Sequence, residues 1–557
     1  MLQVLDLPSP RDSIHNMLKS TRRGGAWAFV AGMFFILASA VPVEAHSSSN
    51  LTYVVRHDRW SESDERDYAA FIAAIGDSDC ASLNACLHSR ANPFAASDPP
   101  SRRFESDCAD LPYVLRFYFA WKRGLPFSYA RAVTPRDGAT GDERYARGGN
   151  AVSARADGLG GRNALDIIAQ IRSDVSTATY RIHPDLDGGD LYSPAIEPGS
   201  IRPGTMIYDP AGHVAIVYRI DPDGRIHSFD AHTDFSLTQM TFDVRFARMR
   251  PALGAGFKNW RPMALAGGQP GKDGIWHDGH VVVAANRDIA DFSVEQFYGT
   301  GVRPADDAWD SGRFTDHGET LDFYDFVRAR MAGELVFHPI REISEMTTAL
   351  CNDLYYRAAA VELSRPLASQ PHPVRLPRNI YGTDGDWEIF ASPSRDARLK
   401  TAFKYLRDTA VRFVAMERGD RRHLSYDGSD LAADLLNAYR RASAACTIRY
   451  RKSDGSTVSL SFEQARARLF ALSFDPYHCP ERRWGASDPA ELATCPDGPD
   501  KLAWYEAEQP LRNAIDRNYD ARMDFSLDDL ARLSGSAAPD TDTAGYLAAV
   551  ERRQAHN

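Results

Sequence analysis

An odd number of cysteines behind an export signal is the feature that most narrows what this chain can become. Lys19, Arg22 and Arg23 precede an apolar run from Ala26 to Ala40, and Val43-Glu44-Ala45 supplies the small residues a signal peptidase needs. Cleavage there gives a mature chain that starts at His46. The run is shorter than the roughly 20 residues a bilayer span requires, so residues 1–45 are expected to act as a removable signal and the mature protein to be soluble. Gly24-Gly25 after the two arginines favours the general secretory route over twin-arginine export, and Met17 offers a second start with a more typical short basic region. The expected location is the periplasm or the extracellular space.

Seven cysteines then reach a compartment that permits disulfides. Spacing pairs Cys80 with Cys86 and Cys479 with Cys495, and Cys351 can join Cys446 across the helical region. Cys108 is left alone. A lone thiol under oxidising conditions is a liability unless it is buried and inert or serves a reaction, so the count points to Cys108 before any motif does.

With 557 residues the chain exceeds one hydrophobic core, and two folded units are expected. A formal charge of −10 argues against a nucleic-acid partner, which needs a basic face. The Gly/Pro-rich patch Ala266–Gly274 opens a linker or extension, residues 266–320, between a first unit (46–265) and a mainly helical one (321–557). In the second unit Ile343, Leu350, Leu354 and Val361 share a stripe, as do Leu399, Phe403, Leu406, Ala410 and Phe413, and Leu431, Leu435 and Tyr439. A hairpin is expected over Thr447–Leu460, then a helix capped by Ser461 and Gln464, and a polar tail that frays after Ser534.

In the first unit, Leu111, Val114, Leu115, Tyr118 and Phe119 predict a helix from Cys108 to Gly124, with Pro112 in its first turn. Residues 128–200 read as a Gly-, Arg- and Ser-rich region around one helix, Ala164–Val175. The glycines 158, 160 and 161 lack the lysine of a phosphate-binding loop. Beyond them, His213–Ile220 and Arg225–Ala231 predict a hairpin turning at Asp221-Pro222-Asp223-Gly224. A thiol at a helix N-terminus is biased toward thiolate, a histidine on a neighbouring strand can serve as its base, and a third polar group orients the imidazole. Cys108 and His213 fill the first two roles. Asp230 is the expected third residue, with His227 and His232 as alternates, because a two-residue turn puts Asp230 and His232 on the His213 face and a three-residue turn puts His227 there. His213, His227 and His232 have no recognised metal-ligand spacing, so neither metal nor cofactor is expected.

Asp107-Cys108-Ala109-Asp110-Leu111, Pro203-Gly204-Thr205-Met206-Ile207-Tyr208 and Gly212-His213-Val214-Ala215-Ile216-Val217-Tyr218 resemble the nucleophile helix and histidine hairpin of NlpC-type and amidase-type cell-wall cysteine peptidases. The resemblance covers about a third of the chain. It implies an α+β, papain-like first unit, with the nucleophile helix packed on an antiparallel sheet, and cleavage of an amide bond in peptidoglycan stem peptides or a similar amide substrate. The 105 residues between Cys108 and His213 (213 − 108) make the 128–200 region an insertion into that plan. The other expectation is a secreted envelope scaffold or binding protein with a degenerate papain-like fold, whose helical unit docks a protein partner.

Overall fold

A computed structural model describes residues 51–210, 213–380, 385–390, 392–515 and 521–554. The expected signal segment, residues 1–45, and Gly212 lie outside the described residues. The centre of the first unit is a six-stranded antiparallel sheet. Its strands are β3 (Leu191–Tyr192), β4 (Met206–Asp209), β5 (His213–Ile220), β6 (Ile226–Ala231), β7 (Leu237–Thr241) and β8 (Gly256–Trp260), in the order β3-β8-β4-β5-β6-β7. β1 (Tyr129–Pro135) and β2 (Asn150–Ala156) form a separate hairpin inside the 128–200 region, which periodicity missed because its residues are largely polar or small.

Pleating divides the sheet between two cores. Met206, Tyr208, Val214, Ile216 and Phe229 pack with α1 (Glu62–Asp77) and α2 (Leu111–Arg123). Ile207, Ala215, Val217 and Phe257 face the other way, onto α4 (Phe323–Ala332) through Phe323, Phe326 and Val327. The sheet is therefore buried on both faces, which explains the near-continuous apolar run of β5. α1 starts at a capping box on Ser61, and α2 stops at Gly124, whose φ is +67°. α3 (Ala164–Asp174) is the helix expected in the insertion.

Residues 266–320 carry ordered elements tied to the first unit. β9 (Met263–Ala266) pairs with β10 (His280–Val283), and Gln296 donates to the Phe257 carbonyl (3.0 Å) and accepts from its amide (2.7 Å). These polar side chains join the segment to β8 without an apolar stripe, so composition alone read it as loose.

The helical unit is built on α5 (Pro339–Leu363), α6 (Ser392–Arg418) and α7 (Leu431–Ala444), and the three predicted stripes meet in one core. β11 (Thr447–Arg451) pairs with β12 (Thr457–Ser461), and Ser461 with Gln464 caps the next helix. The tail does not fray: α8 (Pro499–Ala507) precedes it, and α9 (Thr543–Gln554) buries Leu547 and Val550 in the helical core. Two apolar anchors suffice there, too few to stand out in a polar segment.

The sulfurs pair as Cys80–Cys86, Cys351–Cys446 and Cys479–Cys495, and Cys108 is free. Three disulfides indicate an oxidising, non-cytoplasmic location. No helix among the described residues is long and apolar enough to cross a membrane.

Candidate functional site

Asp107-Cys108-Ala109-Asp110 forms the turn that leads into α2. The Leu111 amide closes it on the Asp107 carbonyl (3.2 Å), and the Asp107 carboxylate accepts from the amides of Ala109 (2.9 Å) and Asp110 (3.3 Å). The helix itself begins at Leu111, not at Cys108. Asp107 has thus taken the free amides that would have favoured a thiolate. Burial, then the charges of Asp107, Asp230 and Asp110, push the Cys108 thiol well above its ordinary value, opposed by the Val214 amide directed at the sulfur. Contrary to the sequence expectation, Cys108 rests as a neutral thiol. Asp110 accepts from Ser106 Oγ and from the Asp107 amide (3.1 Å), and burial together with Asp107 pushes its carboxyl up to about 8.

The hairpin resolves the two turn alternatives by using both. Near the turn Ile220 faces Ile226 and Arg219 faces His227, the register of a three-residue turn with Gly224 at φ +79°. A bulge at Tyr218 then shifts the ladder, so that Val217 faces Ser228 and Ile216 faces Phe229. Continued to the strand's start, that register brings Asp230 and His232 to the His213 side. His227 stays at the turn, where its Nε2 lies 2.8 Å from Asp221 Oδ2. The three histidines do not converge.

His213 Nε2 hydrogen-bonds Asp230 Oδ2, and Thr238 Oγ1 donates to the other carboxylate oxygen (2.7 Å). His232 Nε2 donates to the same hydroxyl (2.9 Å), and its ring stacks 5.8 Å from that of His213. Burial alone would raise the Asp230 carboxyl. The charges of His213 and His232 and these hydrogen bonds instead hold it well below the usual carboxylate range. Burial, helped by Arg398, lowers His213, and burial brings His232 down to about 4 against the pull of Asp230. At neutral pH the cluster is one anion between two neutral imidazoles, and Nδ1 of His213 is the nitrogen left for proton exchange.

A cavity of about 100 Å³ opens beside this cluster. Its walls include His213, Asp230 and His232 from the sheet and Tyr356, Arg357 and Arg398 from α5 and α6. Tyr356 stacks on His232 at 4.3 Å, and Arg398 reaches Asp209 at 3.6 Å. The helical unit is therefore one wall of the site. Nothing in the sequence signalled this, because Tyr356 and Arg398 sit on helices whose only legible message was an apolar stripe.

Cys108 is not part of that wall. It packs with the core that holds Val214 and Ile216, whereas His213 lies over Phe246 (6.5 Å) on the side of Ala215 and Val217. Among the described residues no hydrogen bond joins Cys108 to His213. The structure brings together His213, Asp230 and His232, and sets Cys108 across the same strand end.

No match decides the family. No family model fits this sequence, and no curated protein or solved structure is similar to it. The resemblance to cell-wall peptidases rests on the three short strings alone.

Proposed function

We propose that the protein is an exported thiol hydrolase of papain-like plan that cleaves an amide bond, with peptidoglycan stem peptides as the substrate class the motifs imply. The observation that carries this reading is the Asp230-oriented imidazole of His213 placed one peptide from the Val214 amide that meets the free sulfur of Cys108. Because thiol and imidazole both rest neutral, the sulfur is activated by general base catalysis as it attacks. On this reading thiol and imidazole, which share no hydrogen bond at rest, come within reach of each other when substrate binds. The thiol proton passes to His213 while the S–C bond forms, and the imidazolium returns that proton to the leaving amine as the C–N bond breaks. Water then hydrolyses the thioester, releasing the carboxylic acid and restoring the thiol. Asp230 holds the ring and stabilises the transient imidazolium.

A specific observation favours the second reading, a non-catalytic envelope binding protein: the thiol and the imidazole lie on opposite sides of the start of β5 without a hydrogen bond. One experiment separates the two. Purified peptidoglycan is incubated with the mature protein and with Cys108→Ser and His213→Ala, and soluble products are read by mass spectrometry. The hydrolase predicts peptide release that both substitutions abolish. No release by the wild type, or release that survives Cys108→Ser, rejects it.

A further inference from the structure

A second histidine–aspartate cluster lies in the helical unit, away from the cavity. His372, Asp475 and Glu508 bring one imidazole nitrogen and two carboxylate oxygens within 4.8 Å of one another. His372 Nε2 is 2.6 Å from Asp475 Oδ2, and His478 Nε2 is 3.4 Å from the same oxygen. The side chains of Asp475 and His478 are fully buried, and that of His372 is 3% exposed.

The other nitrogen of each ring is already engaged. His372 Nδ1 lies 2.5 Å from the Pro373 carbonyl, which can only accept, so Nδ1 carries the hydrogen. His478 Nδ1 is 2.9 Å from Asp497 Oδ2 and donates there in the same way. With Nδ1 occupied, the 2.6 Å contact of His372 Nε2 with Asp475 Oδ2 holds a proton in the ion-free chain, on a position that a cation can take in its place, and His478 Nε2 is directed at the same oxygen from 3.4 Å. A carbonyl or carboxylate that takes the far N–H of an imidazole is the usual outer support of a metal-ligating histidine.

An independent observation is Glu508. Its side chain is fully buried, neither carboxylate oxygen receives a hydrogen bond from a neighbouring donor, and it faces the Asp475 carboxylate. Arg512 Nη1 is 3.6 Å away, but it donates to the Tyr505 carbonyl (2.5 Å), and Nη2 donates to Gln509 Oε1 (2.7 Å). Two buried carboxylates that face each other are costly unless a proton or a cation lies between them.

We propose that His372, Asp475 and Glu508 bind a divalent transition-metal ion of the zinc class, with His478 held beside Asp475. Imidazole and carboxylate together suit such an ion, and the enclosed position suits a structural one. The ion adds to a smaller apolar cluster, Leu376, Phe474, Tyr477 and Trp504, that already joins the same three segments: the loop carrying His372, whose ring stacks on Trp504 of α8 at 4.1 Å, the Asp475-Pro476-Tyr477-His478 run, and Glu508 just past α8. The rest of the hydrolase reading does not depend on it.

The test uses the full mature protein, dialysed against a chelator and titrated with zinc chloride by calorimetry. One zinc per chain is expected, with affinity reduced by about 100-fold or more in His372→Ala and Glu508→Gln, beyond the ~10–100-fold that loss of an outer support costs. Cys108→Ser should bind as the wild type does. Crystals of the wild type grown with zinc give a readout that needs no variant: an anomalous peak at the zinc edge between His372 Nε2 and Glu508. Absence of that peak, or binding indifferent to both substitutions in folded protein, overturns the proposal and assigns the cluster to shared protons.

Discussion

Two buried aspartates in this molecule each stand between two histidines, and their surroundings differ. Asp230 has His213 and His232 on either side, a hydroxyl from Thr238, and a cavity at its edge. Asp475 has His372 and His478, a backbone amide from Tyr477 (2.8 Å), and beside it a carboxylate with no partner. In the first cluster Thr238 links His232 to Asp230, so protons account for the polar atoms named. In the second, Glu508 faces the Asp475 carboxylate with no donor from a neighbouring side chain or amide. The same pair of residue types thus borders a cavity in one place and is enclosed beside a further carboxylate in the other.

The largest effect that would break this comparison is on stability. Asp230→Ala removes one partner of a buried pair and should cost roughly 3–5 kcal/mol in urea denaturation, whether or not zinc is present. A loss below about 1 kcal/mol would mean that the cluster is not coupled as described. Zinc at about 100 times its Kd should stabilise the wild type by about 2.7 kcal/mol and leave Glu508→Gln unchanged. Equal gains in both proteins would erase the distinction between the clusters.

Acid sharpens it further. His213 and His232 bind protons more weakly in the folded chain than at the ordinary imidazole value of about 6.5, so the unfolded chain gains protons first. Stability should fall as pH drops from about 6.5 toward 4, and His232→Gln should flatten that fall. Urea midpoints at several pH values across this window check it; identical slopes would exclude the His232 contribution. The smallest effect concerns Cys108. Removing the Asp107 charge lowers the thiol pKa, so Asp107→Asn should speed iodoacetamide labelling at pH 8 several-fold. An unchanged rate would show that burial alone keeps the thiol neutral.

Much of the helical core could be read from residue spacing, since Leu350, Phe403 and Leu435 repeat at helical intervals and need no distant partner to declare a face. The His213 hairpin was legible as two strands, but its register was not, because the bulge at Tyr218 answers to packing: a Cβ on Gly76 of α1 would meet the Tyr218 ring at 2.2 Å. The thiol's state was misread for a local reason. Asp107 was visible next to Cys108, but whether it capped the turn or faced solvent depended on backbone geometry. Glu508 and His372 lie 136 residues apart (508 − 372) in polar stretches without a ligand-spacing motif, so the second cluster carried no signal.

By itself, the sequence determined what depends on near neighbours and on counting: six cysteines able to pair and one left over, amphipathic helices, and a strand pair bearing His213 and Asp230. Tertiary structure alone decided which of those groups meet. It put Asp230 rather than His227 against His213, walled the cavity with α5 and α6, and set Cys108 across the strand. The physical reason is that side-chain chemistry at a site is set by distances between segments far apart in sequence, and those follow from how whole faces bury their apolar area rather than from any local pattern.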